Sequence, residues 1–266
     1  MDLDGRTAVV TGAGRGIGEA LARAFHAEGA RVVLADLAGA ADVAASLDPT
    51  GATAHGLVAD VSTESGNADL VAAAIDKLGD IDLFFANAGV GLGTDVLTTP
   101  EADWELAFNV NVHAHRWAAK ALLPRWLERG EGYFGSTASA AGLLAQIGSG
   151  PYTLTKRAAV AFAEYLAITY GDAGITVTCL CPQGVNTQML HAGDDAVSGS
   201  NVVKLAADVL EPEDVARDVV AAIRDERLLV LPHPEVADYM QFKATDPDRW
   251  IGGMRKLQRR VIEAAE

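Results

Sequence analysis

Seven short runs rich in β-branched and apolar residues recur along the chain: Thr7 to Thr11, Arg31 to Ala35, Ala54 to Ala59, Leu83 to Ala86, Gly132 to Ser136, Ile175 to Cys181 and Leu228 to Leu231. Alanine-rich segments of helical length fill the gaps between them. Strands that alternate with helices imply βαβ units, and continuous apolar runs such as Ala8-Val-Val10 and Val32-Val-Leu-Ala35 suit strands buried on both faces. The pattern predicts an α/β fold, a doubly wound parallel sheet of about seven strands in a three-layer α/β/α sandwich. No linker rich in Pro, Gly or Ser divides the chain and no repeat of 20 to 50 residues appears, so a single domain over residues 1–266 is expected.

The rhythm breaks between Gln188 and Glu211, where Gly193, two aspartates and Ser198-Gly-Ser200 interrupt weak helical spacing. Ligands of open α/β sheets sit beyond the carboxyl ends of strands, and this segment follows such an end. It reads either as a lid over a substrate or as a plain surface excursion. Beyond Glu235, Val236, Tyr239, Met240, Trp250, Met254, Leu257 and Val261 recur at helical spacing and read as packing or subunit contact.

Half of the 266 residues are apolar, enough for a sizeable core, and the net charge is −15. That balance disfavours nucleic acid, whose binding needs a basic footprint. The Arg255-Lys-Leu-Gln-Arg-Arg260 stretch is the local exception, read as a solvated helix face or an oligomer contact. No secretory signal opens the sequence, and its apolar runs stop well short of the roughly 18 residues a membrane span needs. A cytoplasmic protein without membrane contact is expected. Cys179 and Cys181 share one face of a strand and read as a buried thiol pair in a reducing compartment, with no further ligands to make a metal site. The histidines, His113 and His115 among them, read as surface or packing residues.

Chemistry concentrates in three places. Thr11-Gly-Ala-Gly-Arg-Gly-Ile-Gly18 follows the first strand and opens the first helix. Gly12, Gly16 and Gly18, with Arg15 and Ile17 between them, form a Gly-x3-Gly-x-Gly turn that lets the backbone approach a pyrophosphate and sets helix amides against it. Asp36 closes the second strand, where a carboxylate accepts hydrogen bonds from ribose hydroxyls and repels a 2′-phosphate. That favours NAD over NADP, with the basic Arg15 as the counter-argument. Finally, Tyr152 and Lys156 lie one helical turn apart, with Ser139 thirteen residues upstream. A phenol loses its proton near pH 10, and a cation at about 4 Å contributes roughly 4 kcal/mol at an effective dielectric of about 20. Lys156 and an oxidised nicotinamide are therefore expected to lower the Tyr152 pKa toward neutrality.

These ordered motifs resemble the short-chain dehydrogenase/reductase family, in its single-domain branch, over nearly the whole chain. The resemblance implies that Asp60 and Val61 contact the adenine and that Asn87-Ala88-Gly89 supports the adenosine side. It implies that Asn111 holds a water in a proton relay to Lys156, and that Pro182, Gly184, Val185 and Thr187 hold the nicotinamide. Ser139 and Tyr152 would bind the substrate oxygen, and a homo-oligomer, dimer or tetramer, is expected. Two positions depart from the family pattern: Ala86 replaces a frequent asparagine, and Gln183 follows Pro182 where glycine is frequent.

The expected activity is hydride transfer between NAD and a secondary alcohol or ketone, an apolar one. The competing readings are an NADP-dependent carrier-protein ketoreductase, which would need a basic docking patch, and a catalytically silent NAD-binding sensor. Leu92, Leu143, Leu144, Ile147, Met189 and Leu190 flank the site, as an apolar substrate pocket or as core.

Overall fold

The computed structural model describes residues 1–191 and 208–263. Of the irregular 188–211 segment, Gln188–His191 form the short helix α8, and residues 192–207 lie outside the described residues. The strands are β1 (Thr7–Thr11), β2 (Arg31–Asp36), β3 (Ala54–Val58), β4 (Leu83–Ala86), β5 (Gly132–Thr137), β6 (Ile175–Leu180) and β7 (Leu229–Val230). All pair in parallel, in the order β3-β2-β1-β4-β5-β6-β7. The order reverses between β1 and β4, so a crevice opens beyond the carboxyl ends of those two strands.

Alternation along each strand feeds two separate cores. Val9, Val33, Phe84, Phe134 and Val177 point to one layer, where they meet α3 (Glu64–Leu78), α5 (Ala114–Arg129) and α7 (Gly150–Tyr170). Ala8, Val10, Val32, Leu34, Leu83 and Phe85 point to the other, against α1 (Gly16–Ala27), α2 (Ala40–Leu47) and α9 (Pro212–Arg224). Each buried Leu or Phe contributes about 1.5–3 kcal/mol on leaving water, which is why a parallel sheet demands strands that are apolar on both sides. Gly135 belongs to this packing: a β carbon there would stand 2.1 Å from the Phe85 ring.

Local signals set the helix ends. Thr63 caps α3 by accepting from Gly66 N, Pro151 enters α7 in its first turn, and Gly130 (φ +70°) closes α5. Between α4 (Glu101–Phe108) and α5 the helix widens into one π turn over Asn109–His113, a break the hydrophobic pattern did not reveal. After β7, α10 (Glu235–Thr245) and α11 (Pro247–Glu263) carry the C-terminal stripe, and Val236, Trp250 and Val261 are its buried members. Arg255, Lys256, Arg259 and Arg260 are exposed, as a solvated face would be. Among the described residues no helix is long and apolar enough to cross a membrane.

Candidate functional site

The first half of the crevice is built from backbone. Gly12 and Gly16 hold φ of +65° and +58°, a left-handed region that side chains disfavour. A β carbon at Gly18 would lie 2.1 Å from Gly12 O, so helix and turn touch without side chains. Gly14 is equally constrained, since its β carbon would lie 2.1 Å from Ala38 O. Gly14 lies outside the Gly-x3-Gly-x-Gly spacing, and its being a fourth glycine in the turn was the available signal. Arg15, at the N-cap of α1, is exposed and offers no side-chain acceptor to the first amides. Those donors therefore fit the phosphates of a dinucleotide. Beside the turn is a cavity of about 300 Å³, lined by Arg15, Gly16, Glu19, Asn186, Thr187 and Glu211 among others.

Asp36 ends β2 with both carboxylate oxygens engaged. Oδ2 accepts from Gly14 N at 2.9 Å and Oδ1 from Leu37 N at 2.7 Å, which orients the carboxylate across the turn and leaves lone pairs for further donors. Asn87 ties three strand ends together. Its N–H donates to Thr11 Oγ1 (3.0 Å), its Nδ2 to Thr11 O (3.0 Å), and its Oδ1 accepts from Thr137 Oγ1 (2.9 Å). Asp60 is exposed and accepts from Ser62 N, while Val61 is buried beside it.

The second half is built from side chains. Ser139 caps the short helix α6 (Ala140–Leu144): its Oγ accepts from Ala141 N at 3.1 Å and donates to Pro182 O at 3.3 Å. Lys156 on α7 is buried, donates to Thr137 O at 2.9 Å, and places Nζ 5.6 Å from the centre of the Tyr152 ring. Asn111, buried in the π turn, donates to Val90 O and Thr155 Oγ1 and accepts from Val90 N. Both its N–H donors are thereby consumed, so one Oδ1 lone pair is what the side chain has left. A β carbon at Gly89 would stand 3.2 Å from Lys156 Nζ and 3.3 Å from Asn111 Oδ1, so the two groups converge beside Gly89.

Burial pushes the Tyr152 phenol upward, and the Ser139 hydroxyl opposes this only in part. Burial likewise lowers Lys156, from 10.5 to about 8, so its side chain remains an ammonium at neutral pH. Desolvation is the largest cause of both shifts.

The turn after β6 carries the remaining expected residues. Gly184 O accepts from Leu210 N (3.0 Å) and Asn186 N donates to Leu210 O (2.8 Å), while Thr187 Oγ1 reaches Val185 O at 3.3 Å. The Thr187 methyl lies 3.2 Å from the position of a β carbon on Gly16, which joins this turn to the glycine turn. Gln183 uses its side chain: Nε2 donates to Glu235 Oε1 at 3.2 Å, so the departure from glycine becomes a brace to α10. Of the flanking apolar residues, Leu143, Leu144 and Leu190 are buried, whereas Met189 is exposed. Behind the site, His115 is fully buried and meets Ser136 Oγ through Nδ1, beside the free thiols Cys179 and Cys181. Burial lowers its pKa to about 3, so this imidazole stays neutral.

A family model described as short chain dehydrogenase matches residues 6–197. Rat 17-beta-hydroxysteroid dehydrogenase 13 is 31% identical over 98% of this chain and 85% of its own length. The meso-2,3-butanediol dehydrogenase of Serratia marcescens is 36% identical over 81% of this chain and 86% of its own. A short-chain dehydrogenase/reductase from Burkholderia phymatum, solved in complex with NAD, superposes with a TM-score of 0.85 at 30% identity, covering 93% and 96% of the two chains. The 3-ketoacyl-(acyl-carrier-protein) reductase of Brucella melitensis, complexed with NADH, gives a TM-score of 0.77 at 28% identity, covering 87% and 98%. With its glycine turn, sheet order and matched length, the chain belongs to the short-chain dehydrogenase/reductase family and is an NAD(P)-dependent oxidoreductase.

Proposed function

We propose that this enzyme moves hydride between NAD and an apolar secondary alcohol or ketone, with Ser139, Tyr152 and Lys156 as its catalytic residues and Asn111 in support. The carrying observation is the convergence of Tyr152, Lys156 and Ser139 from α7 and α6 at the carboxyl ends of β5 and β6. When bound, the dinucleotide supplies the hydride chemistry. Residues Gly12 to Gly18 offer amides to its phosphates, Asp36 receives ribose hydroxyls, and Asp60, Val61 and Asn87-Ala88-Gly89 line the adenosine side. Pro182, Gly184, Val185 and Thr187 support the nicotinamide.

In oxidation, Ser139 and Tyr152 hold the alcohol oxygen. The Tyr152 phenolate takes the hydroxyl proton, the O–H electron pair becomes the second bond of the carbonyl, and hydride leaves the carbinol carbon. In reduction, the Tyr152 phenol returns a proton to the new alkoxide. The Lys156 ammonium sits under the Tyr152 ring and stabilises the phenolate as it forms. Preference for NAD rests on the Asp36 carboxylate, which is held across the glycine turn and would repel a 2′-phosphate. The Burkholderia and Brucella structures, in complex with NAD and NADH, support that preference. The names of the relatives range from a butanediol to a hydroxysteroid enzyme, so the substrate class stays at the level of the alcohol.

Tyr152→Phe tests the reading. It removes the proton carrier, and turnover on a panel of secondary alcohols and ketones should fall by about 10²–10⁴-fold while NAD affinity holds. Full turnover in the variant would sink the assignment. A carrier-protein ketoreductase is the second reading, favoured by the Brucella reductase. Reduction of an acyl-carrier thioester, in preference to free ketones, would select it.

A further inference from the structure

His233 lies between Pro232 and Pro234 in the turn that joins β7 to α10 and is 3% exposed. Proline on either side restricts the local backbone, so the imidazole is presented from a stiff mount. Its two nitrogens bond main-chain groups of different polarity. Nδ1 faces Gln183 N at 3.2 Å, and Nε2 faces Asp208 O at 3.1 Å. An amide N–H only donates and a carbonyl only accepts, so one tautomer satisfies both: neutral imidazole with its proton on Nε2. The ring thus spans two stretches of chain that are 25 residues apart in sequence. One is the turn after β6, in which Pro182 O receives the Ser139 hydroxyl. The other leads into Leu210, which pairs with Gly184 and Asn186 of that same turn.

We infer that His233 is a positioning residue for the nicotinamide end of the cofactor site: by accepting from Gln183 N it holds the Pro182 to Thr187 turn at the distance from the glycine turn that the dinucleotide must span. This rests on the cofactor placement proposed above. His233 acts only through the main chain and touches no reacting atom. Without an acceptor, the Gln183 amide would be an unpartnered donor, and the turn would shift to find one.

Two conservative variants separate the bonds. In His233→Asn, Oδ1 takes the place of Nδ1 and keeps an acceptor for Gln183 N. In His233→Gln, Nε2 takes the place of the ring Nε2, keeping the bond to Asp208 O but abandoning Gln183 N. Binding of NAD and of AMP, which lacks the nicotinamide half, is measured by calorimetry on both variants and the parent enzyme, alongside thermal melts. His233→Gln should bind NAD about tenfold more weakly with AMP affinity within twofold of the parent, and His233→Asn should bind NAD within threefold of the parent. The inference is overturned if His233→Gln keeps parental NAD affinity, if both variants lose NAD affinity alike, or if AMP and NAD affinities fall together with the melting temperature. Failure of the parent enzyme to bind NAD at all would instead overturn the cofactor placement on which this inference stands.

Discussion

The two halves of the crevice are made of different material. Around Gly12 to Gly18 the site consists of backbone brought close by missing side chains, with contact distances at Gly12, Gly14 and Gly18 that no β carbon fits. Around Tyr152 and Lys156 it consists of side chains taken out of water, with an ammonium lowered to about 8 by burial. The first half should therefore fail when atoms are added, and the second when they are removed. Their relation to stability also differs. Close packing at the glycines supports the fold, whereas the buried lysine costs the fold something to keep charged.

Lys156→Met should break the comparison hardest. Turnover should drop by about 10²–10⁴-fold, while the melting temperature at pH 7 should rise, since an apolar chain of similar volume replaces a desolvated charge. The pH dependence carries the sign. The folded pKa lies below the unfolded one, so the unfolded chain binds more protons between about 8 and 10.5, and parental stability climbs across that window. The advantage of the variant, at most a few kcal/mol, should shrink over the same range in melts run from pH 7 to 10.5. A variant that melts lower at pH 7 would show that the bond to Thr137 O outweighs desolvation.

Gly18→Val tests the other half. Its β carbon would meet Gly12 O at 2.1 Å and Asn87 Nδ2 at 2.5 Å, so stability and NAD affinity should fall together, by about 1–3 kcal/mol in melts and about 10–100-fold in titration. Loss of affinity without loss of stability would mean that the turn is less tightly packed than these distances require. Asp36→Ala should have the smallest effect: the ratio of NAD to NADP turnover should fall by about tenfold, with a small loss of affinity for both because Gly14 N loses its acceptor. An unchanged ratio would remove Asp36 from cofactor choice.

Much of the architecture was legible before the structure. All seven strands occur where apolar runs placed them, with no end differing by more than one residue, because burial on both faces leaves an unmistakable pattern. Cys179 and Cys181 are indeed buried together on one face. The π turn at Asn111 was not legible, since one extra residue in a helix leaves composition unchanged and shifts the apolar spacing little. His233 gave no signal either, as a single histidine beside prolines is an ordinary turn residue until its partners are known. The burial that raises the Tyr152 pKa was not legible for a related reason: spacing reports the neighbour one turn away but not the water that folding removes.

The sequence by itself determined what depends on neighbours along the chain: the strand and helix order, the glycine turn, the acidic end of β2, and the shared face of Tyr152 and Lys156. Only the tertiary structure decided which polar groups engage one another, such as Lys156 with Thr137 O, Asn111 with Val90, Asp36 with Gly14 and His233 with Gln183. Hydrogen bonding and desolvation are properties of what packs around a group in space, and those neighbours arrive from other elements of the fold.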